Sequence, residues 1–264
     1  HISGLKAHHL KALERIYRRK IPVSQVITSD LARFLCLLSN EMGRQVGLFV
    51  DRKGQVERVF VGDSDRIYLP DFGRLRAGRG RFRGLRLIHT HLKDDPIDED
   101  DLTDLTLLRL DMVVALSLEE EDKPVQISLA HLLPEGSDST YFRQGPLPLD
   151  KLKLDFAAVI ASLEEEFART RDDQLEAEKL PGALLVHVSN LPTRKAESRI
   201  QEMEDLARTA GLVIVGVMRQ RRRLPDPKYV VGRGKLEDGM LKAIQKRVDT
   251  HLFMPDLRAR QTRA

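Results

Sequence analysis

From Pro181 to Pro255 the chain alternates continuous apolar runs with stretches of helical periodicity, an order that few folds accommodate. The runs ALLVHVS, GLVIVGVMRQ and THLFMP are separated by ESRIQEMEDLARTAG and KLEDGMLKAIQKR. A strand with no polar face must be covered on both sides, and parallel sheets with helices laid over them provide that cover. Residues 181–264 are therefore expected to form a βαβαβ unit with a parallel sheet. Three strands are few for such a sheet, and the closing DLRARQTRA reads as the entry to a further helix cut short.

The first half has a different grammar. Ser29 precedes apolar residues at helical spacing (Leu31, Phe34, Leu35, Leu38, Met42), and Gly43 ends the run, as a helix start and stop should. QVGLFV and QVERVFV are joined by Asp51-Arg52-Lys53-Gly54 and predict a hairpin. LRLIHTH predicts a strand, DEDDLTDLTLLRL a helix whose acidic first turn suits the helix dipole, and DMVVALSL and VQISLAHL two more strands. The expected fold class is α/β, beginning with a sheet of mixed strand directions over residues 1–146. Turn formers at Pro134–Ser139 and Gly145–Pro148 mark its end. Leu152, Phe156, Val159, Ile160, Leu163 and Phe167 then predict a long linking helix within 147–180.

Composition narrows the function. No run approaches the ~18 apolar residues of a membrane span, and the amino terminus lacks a signal-peptide core, so a cytoplasmic protein is expected. A single cysteine, Cys36, sits in an apolar pattern and reads as a small core residue. The net charge of +4 is too small to identify a partner, but its distribution is uneven. Six arginines fall within Gly73–Arg86 among four glycines, and other basic residues cluster at Arg18, Arg19, Lys20 and at Arg219, Arg221, Arg222 and Arg223. Such groups can meet phosphates, although a charge run is as readily a solvated face. An acidic island of seven carboxylates, Asp94–Asp104, would repel nucleic acid.

VVGRGKLEDG contains the Gly232-Arg233-Gly234-Lys235 turn but is not a phosphate loop of the Walker type. Leu236 stands where a magnesium-binding hydroxyl is needed, and Tyr229 where the first glycine is needed. The turn reads as a tight helix start, with amides that could still receive a phosphate. Together with the preceding strand and helix, AGLVIVGVMRQRRRLPDPKYVVGRGKLEDG resembles the amino-terminal domain of HflX-type GTPases, from about Leu184 onward. The resemblance implies a ribosome-associated protein whose separate GTPase domain uses GTP and magnesium, and whose amino-terminal domain reaches the RNA of the large subunit and helps to separate stalled subunits. It makes the ribosome, its RNA and that GTPase domain the expected partners, and it makes the present chain a fragment. The residues expected to meet RNA or phosphate are Arg219, Arg221, Arg222, Arg223, Lys228, Gly232, Arg233, Gly234 and Lys235.

A second constellation lies in the first half. His89 and His91 are two apart on a strand and so point the same way, and Asp101 opens the next helix, giving three candidate ligands for zinc or another divalent metal. Glu41 is a candidate general base. The order glutamate, His-Thr-His, helix-opening aspartate resembles the JAB/MPN metalloprotease pattern over roughly Ser29–Leu132, which implies either a metal-dependent hydrolase or an inactive, protein-binding relative. Leu92 replaces the usual proline and Asp98 the usual serine, which puts hydrolysis in doubt. The plain alternative is that both histidines are structural polar groups beside an acidic helix end. His8 and His9 are expected in a mobile terminus, and His131, His187 and His251 in or beside strands as core or edge residues.

Overall fold

A computed structural model describes residues 4–69, 82–93, 95–134, 137–169, 181–227, 229–246, 248 and 250–255. The chain divides into two compact α/β units, His1–Glu165 and Glu166–Ala264. Among the described residues, no helix is long and apolar enough to cross a membrane.

The first unit runs α1 (Ala7–Ile16), α2 (Ser29–Met42), β1 (Val46–Asp51), β2 (Val56–Val61), β3 (Leu85–Thr90), α3 (Glu99–Leu107), β4 (Met112–Ser117), β5 (Gln126–Leu132), β6 (Tyr141–Pro148), and then α4 (Phe156–Arg169), which extends past Glu165. Its sheet has the order β2-β1-β3-β4-β5-β6. β3 and β4 are parallel and every other neighbouring pair is antiparallel, so the mixed directions expected from the sequence are present. The parallel pair requires a crossover, and α3 supplies it. α2 is capped by the Thr28 hydroxyl, which accepts from the Leu31 amide at 3.4 Å, and it ends at Gly43 in the left-handed conformation.

Alternation along β3 sorts side chains to two faces. Thr90 Oγ1 donates to Ser39 Oγ of α2, while the Arg86 guanidinium lies 4.1 Å over the Phe156 ring of α4. His89, one residue out of phase, faces α3 through Asp101. Arg86 is wholly buried and donates to the Val26 and Asp51 carbonyls. It therefore belongs to the core and not to the phosphate-seeking arginine loop in which the sequence placed it, and Arg74–Arg81 of that loop lie outside the described residues.

Three elements differ from the sequence reading. The expected mobile terminus contains α1, because His9, Leu13 and Ile16 form a buried stripe in which a histidine stands where an aliphatic residue would have signalled a helix. The proline-marked boundary at 145–148 is the end of β6, an outer strand where proline is tolerated. The linking helix is shorter, Phe156–Arg169, and follows a 3-10 turn at Leu149–Lys151; residues 170–180 lie outside the described residues. Phe156, Ile160 and Leu163 are buried, each contributing about 1.5–3 kcal/mol, and Glu164 binds Arg52, so this part of α4 is an integral helix of the first unit.

The second unit is β7 (Gly182–Ser189), α5 (Thr193–Thr209), β8 (Val213–Arg221), α6 (Arg233–Gln245) and β9 (Thr250–Phe253). Its strands are parallel in the order β8-β7-β9, the βαβαβ arrangement expected. β7 is central and buried along its length, and Leu184, Val186 and Val188 pack against residues of α6 and its flanking turns, including Val231, Leu236 and Ala243. β8, with a strand on one side only among the described residues, is partly exposed. The helix expected at the end of the sequence lies outside the described residues.

Candidate functional site

Two places bring the expected residues together, one in each unit. In the first, the antiparallel register of β1 and β3 sets Gly47 opposite His89, and continuing it sets Gln45 opposite His91. α3 then delivers Asp101 from its first turn. Asp98 caps that helix by accepting from the Asp101 amide at 2.9 Å, and the Asp101 carboxylate accepts from the Asp98 amide at 3.1 Å. This reciprocal pair orients the carboxylate toward the histidines. His89 Nε2 lies 3.1 Å from Asp101 Oδ1, and His91 Nε2 lies 3.8 Å from Oδ2. The three ligand atoms fall within 4.8 Å of one another.

Asp98, Asp100, Asp104, Gln45, Asp65 and Arg66 are among the residues around His89, His91 and Asp101 in a hollow of about 150 Å³. Burial alone would strip the proton from His89, but Asp101, with Asp104 and Asp98 behind it, outweighs burial and raises its pKa. His91 moves the other way, lowered by burial and then by the neighbouring His89 charge. Asp101 is held below the usual carboxylate range because the His89 charge and contact outweigh its own burial. His91 Nδ1 lies 2.7 Å from the Asp95 carbonyl, a contact that places the proton on Nδ1 and leaves Nε2 as a lone pair facing Asp101.

The donor set fits a divalent metal. His89 is 2% exposed, and neither of its ring nitrogens has a hydrogen-bond partner in good geometry among the described residues, so the Nε2 contact is one of charge and proximity. A buried imidazole in that condition, beside a carboxylate and a second imidazole, offers the mixed nitrogen and oxygen ligands that zinc accepts. The acidic lining also favours a cation.

Glu41 is elsewhere. Its carboxylate meets His8 Nε2 at 3.0 Å and His9 Nε2 at 3.2 Å, and it is absent from the described residues lining the hollow. Gln45, between α2 and β1, does line the hollow, but it is an amide and cannot accept a proton as a base. The sequence reading missed Gln45 because it lies four residues beyond the glutamate, past the glycine turn.

The second place is the carboxyl end of the parallel sheet. The connection from β7 runs outward to β8, and the one from β8 returns across β7 to β9, so the chain leaves two neighbouring strands in opposite directions. Ligands of open α/β sheets collect in the crevice outside the carboxyl ends of the strands. Arg219 and Arg221 are the last arginines of β8, Arg222 and Arg223 follow, and all four are exposed. Arg219 lies 3.8 Å from Glu197 and Arg222 lies 3.5 Å from Asp226, exposed or half-exposed pairs that hold a side chain only weakly.

Gly232 precedes the first turn of α6 with no side-chain cap, and its amide donates to Gln220 Oε1 at 2.9 Å. Gln220 thereby ties the turn to the end of β8, a role that only its polar character in an apolar strand could have suggested. Arg233 and Gly234 are exposed, and Lys235 lies 3.7 Å from Asp238. Lys228 lies outside the described residues. Beside this end, burial and then the charges of Arg199 and Arg219 keep His187 below its ordinary pKa, so it is neutral at pH 7.

Residues 197–264, about a quarter of the chain, match the family described as GTP-binding GTPase N-terminal. The match includes the arginines of β8, the turn at Gly232 and α6, and it supports the HflX-type amino-terminal region inferred from the same residues.

Proposed function

We propose that the chain is the amino-terminal region of an HflX-type GTP-binding protein, which docks on the RNA of the large ribosomal subunit and helps to rescue or split stalled ribosomes. In this reading GTP and magnesium are handled by a GTPase domain elsewhere in the same protein. The observation that carries it is the gathering of four exposed arginines at the carboxyl end of β8 beside the first turn of α6, within the segment that matches the GTPase family. Guanidinium groups there would take backbone phosphates bidentately, and the helix amides would add positive potential without reading sequence.

The test is co-sedimentation with ribosomes over a range of salt for the parent and the R221E/R222E/R223E triple variant. Each lost phosphate contact should flatten the slope of log affinity against log salt by roughly 0.7–0.9, so the variant should lose about two to three units of slope and bind weakly throughout. Unchanged pelleting at low and high salt sinks the assignment.

The convergence of His89, His91 and Asp101 favours a second reading for the first unit, a metal-binding domain related to the JAB/MPN pattern. A metal held there would supply a Lewis acid and a bound water of lowered pKa. The protein's own contribution would be to fix the ligands: Asp98 orients Asp101, and the Asp95 carbonyl fixes the His91 tautomer. With Glu41 bound to His8 and His9, any proton acceptor would have to come from the aspartates of the hollow, so a protein-binding relative without hydrolytic activity fits better. Elemental analysis of purified protein decides the metal. Zinc lost on His89→Ala supports it, and a folded, metal-free parent ends it.

A further inference from the structure

His8, His9 and Glu41 form a second cluster, separate from that of His89, His91 and Asp101. His8 and His9 open α1, and Glu41 lies in the last turn of α2. Both Nε2 atoms converge on the same carboxylate oxygen, at 3.0 and 3.2 Å, with the two rings 4.1 Å apart and edge to face. One carboxylate oxygen has lone pairs enough to accept from both imidazoles, so hydrogen bonds gather the three groups before any ion binds. His9 is only 5% exposed, and its Nδ1, on the far side of the ring, has no partner among the described residues.

We propose that His8, His9 and Glu41 are the ligands of a second, independent site for a borderline transition-metal ion of the zinc class, one that fastens the start of α1 to the end of α2. Ligands about 2.0–2.1 Å from a tetrahedral zinc stand about 3.3 Å apart, so the spacing already present needs only small adjustments to admit the ion. All three ligand atoms lie within 4.8 Å of one another. Two imidazoles and one carboxylate select zinc, nickel or copper over magnesium and calcium, which prefer oxygen ligands. His8 and Glu41 are each 58% exposed, so the ion has a route in and water can complete its shell, while buried His9 anchors it to the core. Glu41 is already held below the usual carboxylate range, first by its contact with His8 and then by that with His9, and so is ready as an anionic ligand.

The test uses the full chain with His89 and His91 both changed to alanine, so that the cluster in the hollow cannot contribute. Zinc is titrated calorimetrically into chelator-stripped protein, and thermal unfolding is followed with and without the ion. One equivalent of zinc is expected to bind and raise the Tm, with no response to magnesium. Adding His8→Ala or Glu41→Gln, both at exposed positions, is expected to weaken binding at least tenfold and abolish the rise in Tm, with the far-UV circular dichroism unchanged. Absence of zinc binding in the double-alanine background overturns the proposal, as does binding of equal strength after His8→Ala and Glu41→Gln.

Discussion

At the scale of single residues, burial decides which chemically capable groups can act. Cys36 is 3% exposed, and burial pushes its thiol up to about 12, with nearby Arg33 opposing weakly. The native protein is expected to resist alkylation by iodoacetamide at pH 8 and to react fully once unfolded in guanidinium; rapid labelling of the folded chain would contradict this. Asp111 is a more consequential buried group. Arg52 donates to its two oxygens at 2.6 and 3.1 Å, and the Gly84 amide donates at 3.0 Å. Arg52→Ala should cost roughly 2 kcal/mol, less than a wholly buried pair because Arg52 is 39% exposed and screened. Burial raises the Asp111 pKa, and removing Arg52 raises it further. A carboxyl whose folded pKa exceeds its unfolded value of 3.8 binds its proton more tightly when folded, so stability is highest at low pH and is lost as pH rises from that value through the folded one. The variant should therefore lose more stability relative to the parent at pH 8 than at pH 4 in denaturant titrations, and an equal loss at both would reject this account.

At the scale of elements, close backbone approaches set the tolerance to change. Gly54 closes the β1–β2 hairpin at φ +82°, where a Cβ would lie 1.8 Å from the Ile21 carbonyl oxygen, while the Ile21 amide donates to the Gly54 carbonyl. Gly54→Ala combines backbone strain with a clash against main chain and should cost about 2 kcal/mol or more, read as a lowered urea midpoint; a loss under 0.5 kcal/mol would argue against the contact. This hairpin was legible from its turn residues, as were α2 from its periodicity and the three strands of the second unit from their unbroken apolar runs. α1 was not, because His9 occupies an apolar position, and β6 was not, because its prolines resemble a linker until an outer position in the sheet is known. The site was legible in the same uneven way. The His89, His91 and Asp101 convergence followed from strand alternation and a helix start, whereas the displacement of Glu41 toward His8 and His9 depended on α1, which the sequence reading lacked.

For the whole molecule, two separate cores imply two separate stabilities. Calorimetry is expected to resolve two transitions, with Arg52→Ala moving one and Gly239→Val the other; a single transition displaced by both substitutions would contradict this. Gly239 is suited to the second role because a Cβ there would stand 2.1 Å from Met218 Sδ, which must give way for α6 to stay seated on β8. The outward position of β8 has one more consequence. A strand with a neighbour on one side only is an invitation for an identical strand from another copy, and natural proteins refuse it with charge. Arg219 and Arg221 near its end are therefore expected to deter self-assembly. Replacing both with glutamine should yield concentration-dependent oligomers in sedimentation velocity, and a variant that sediments as the parent does would contradict this.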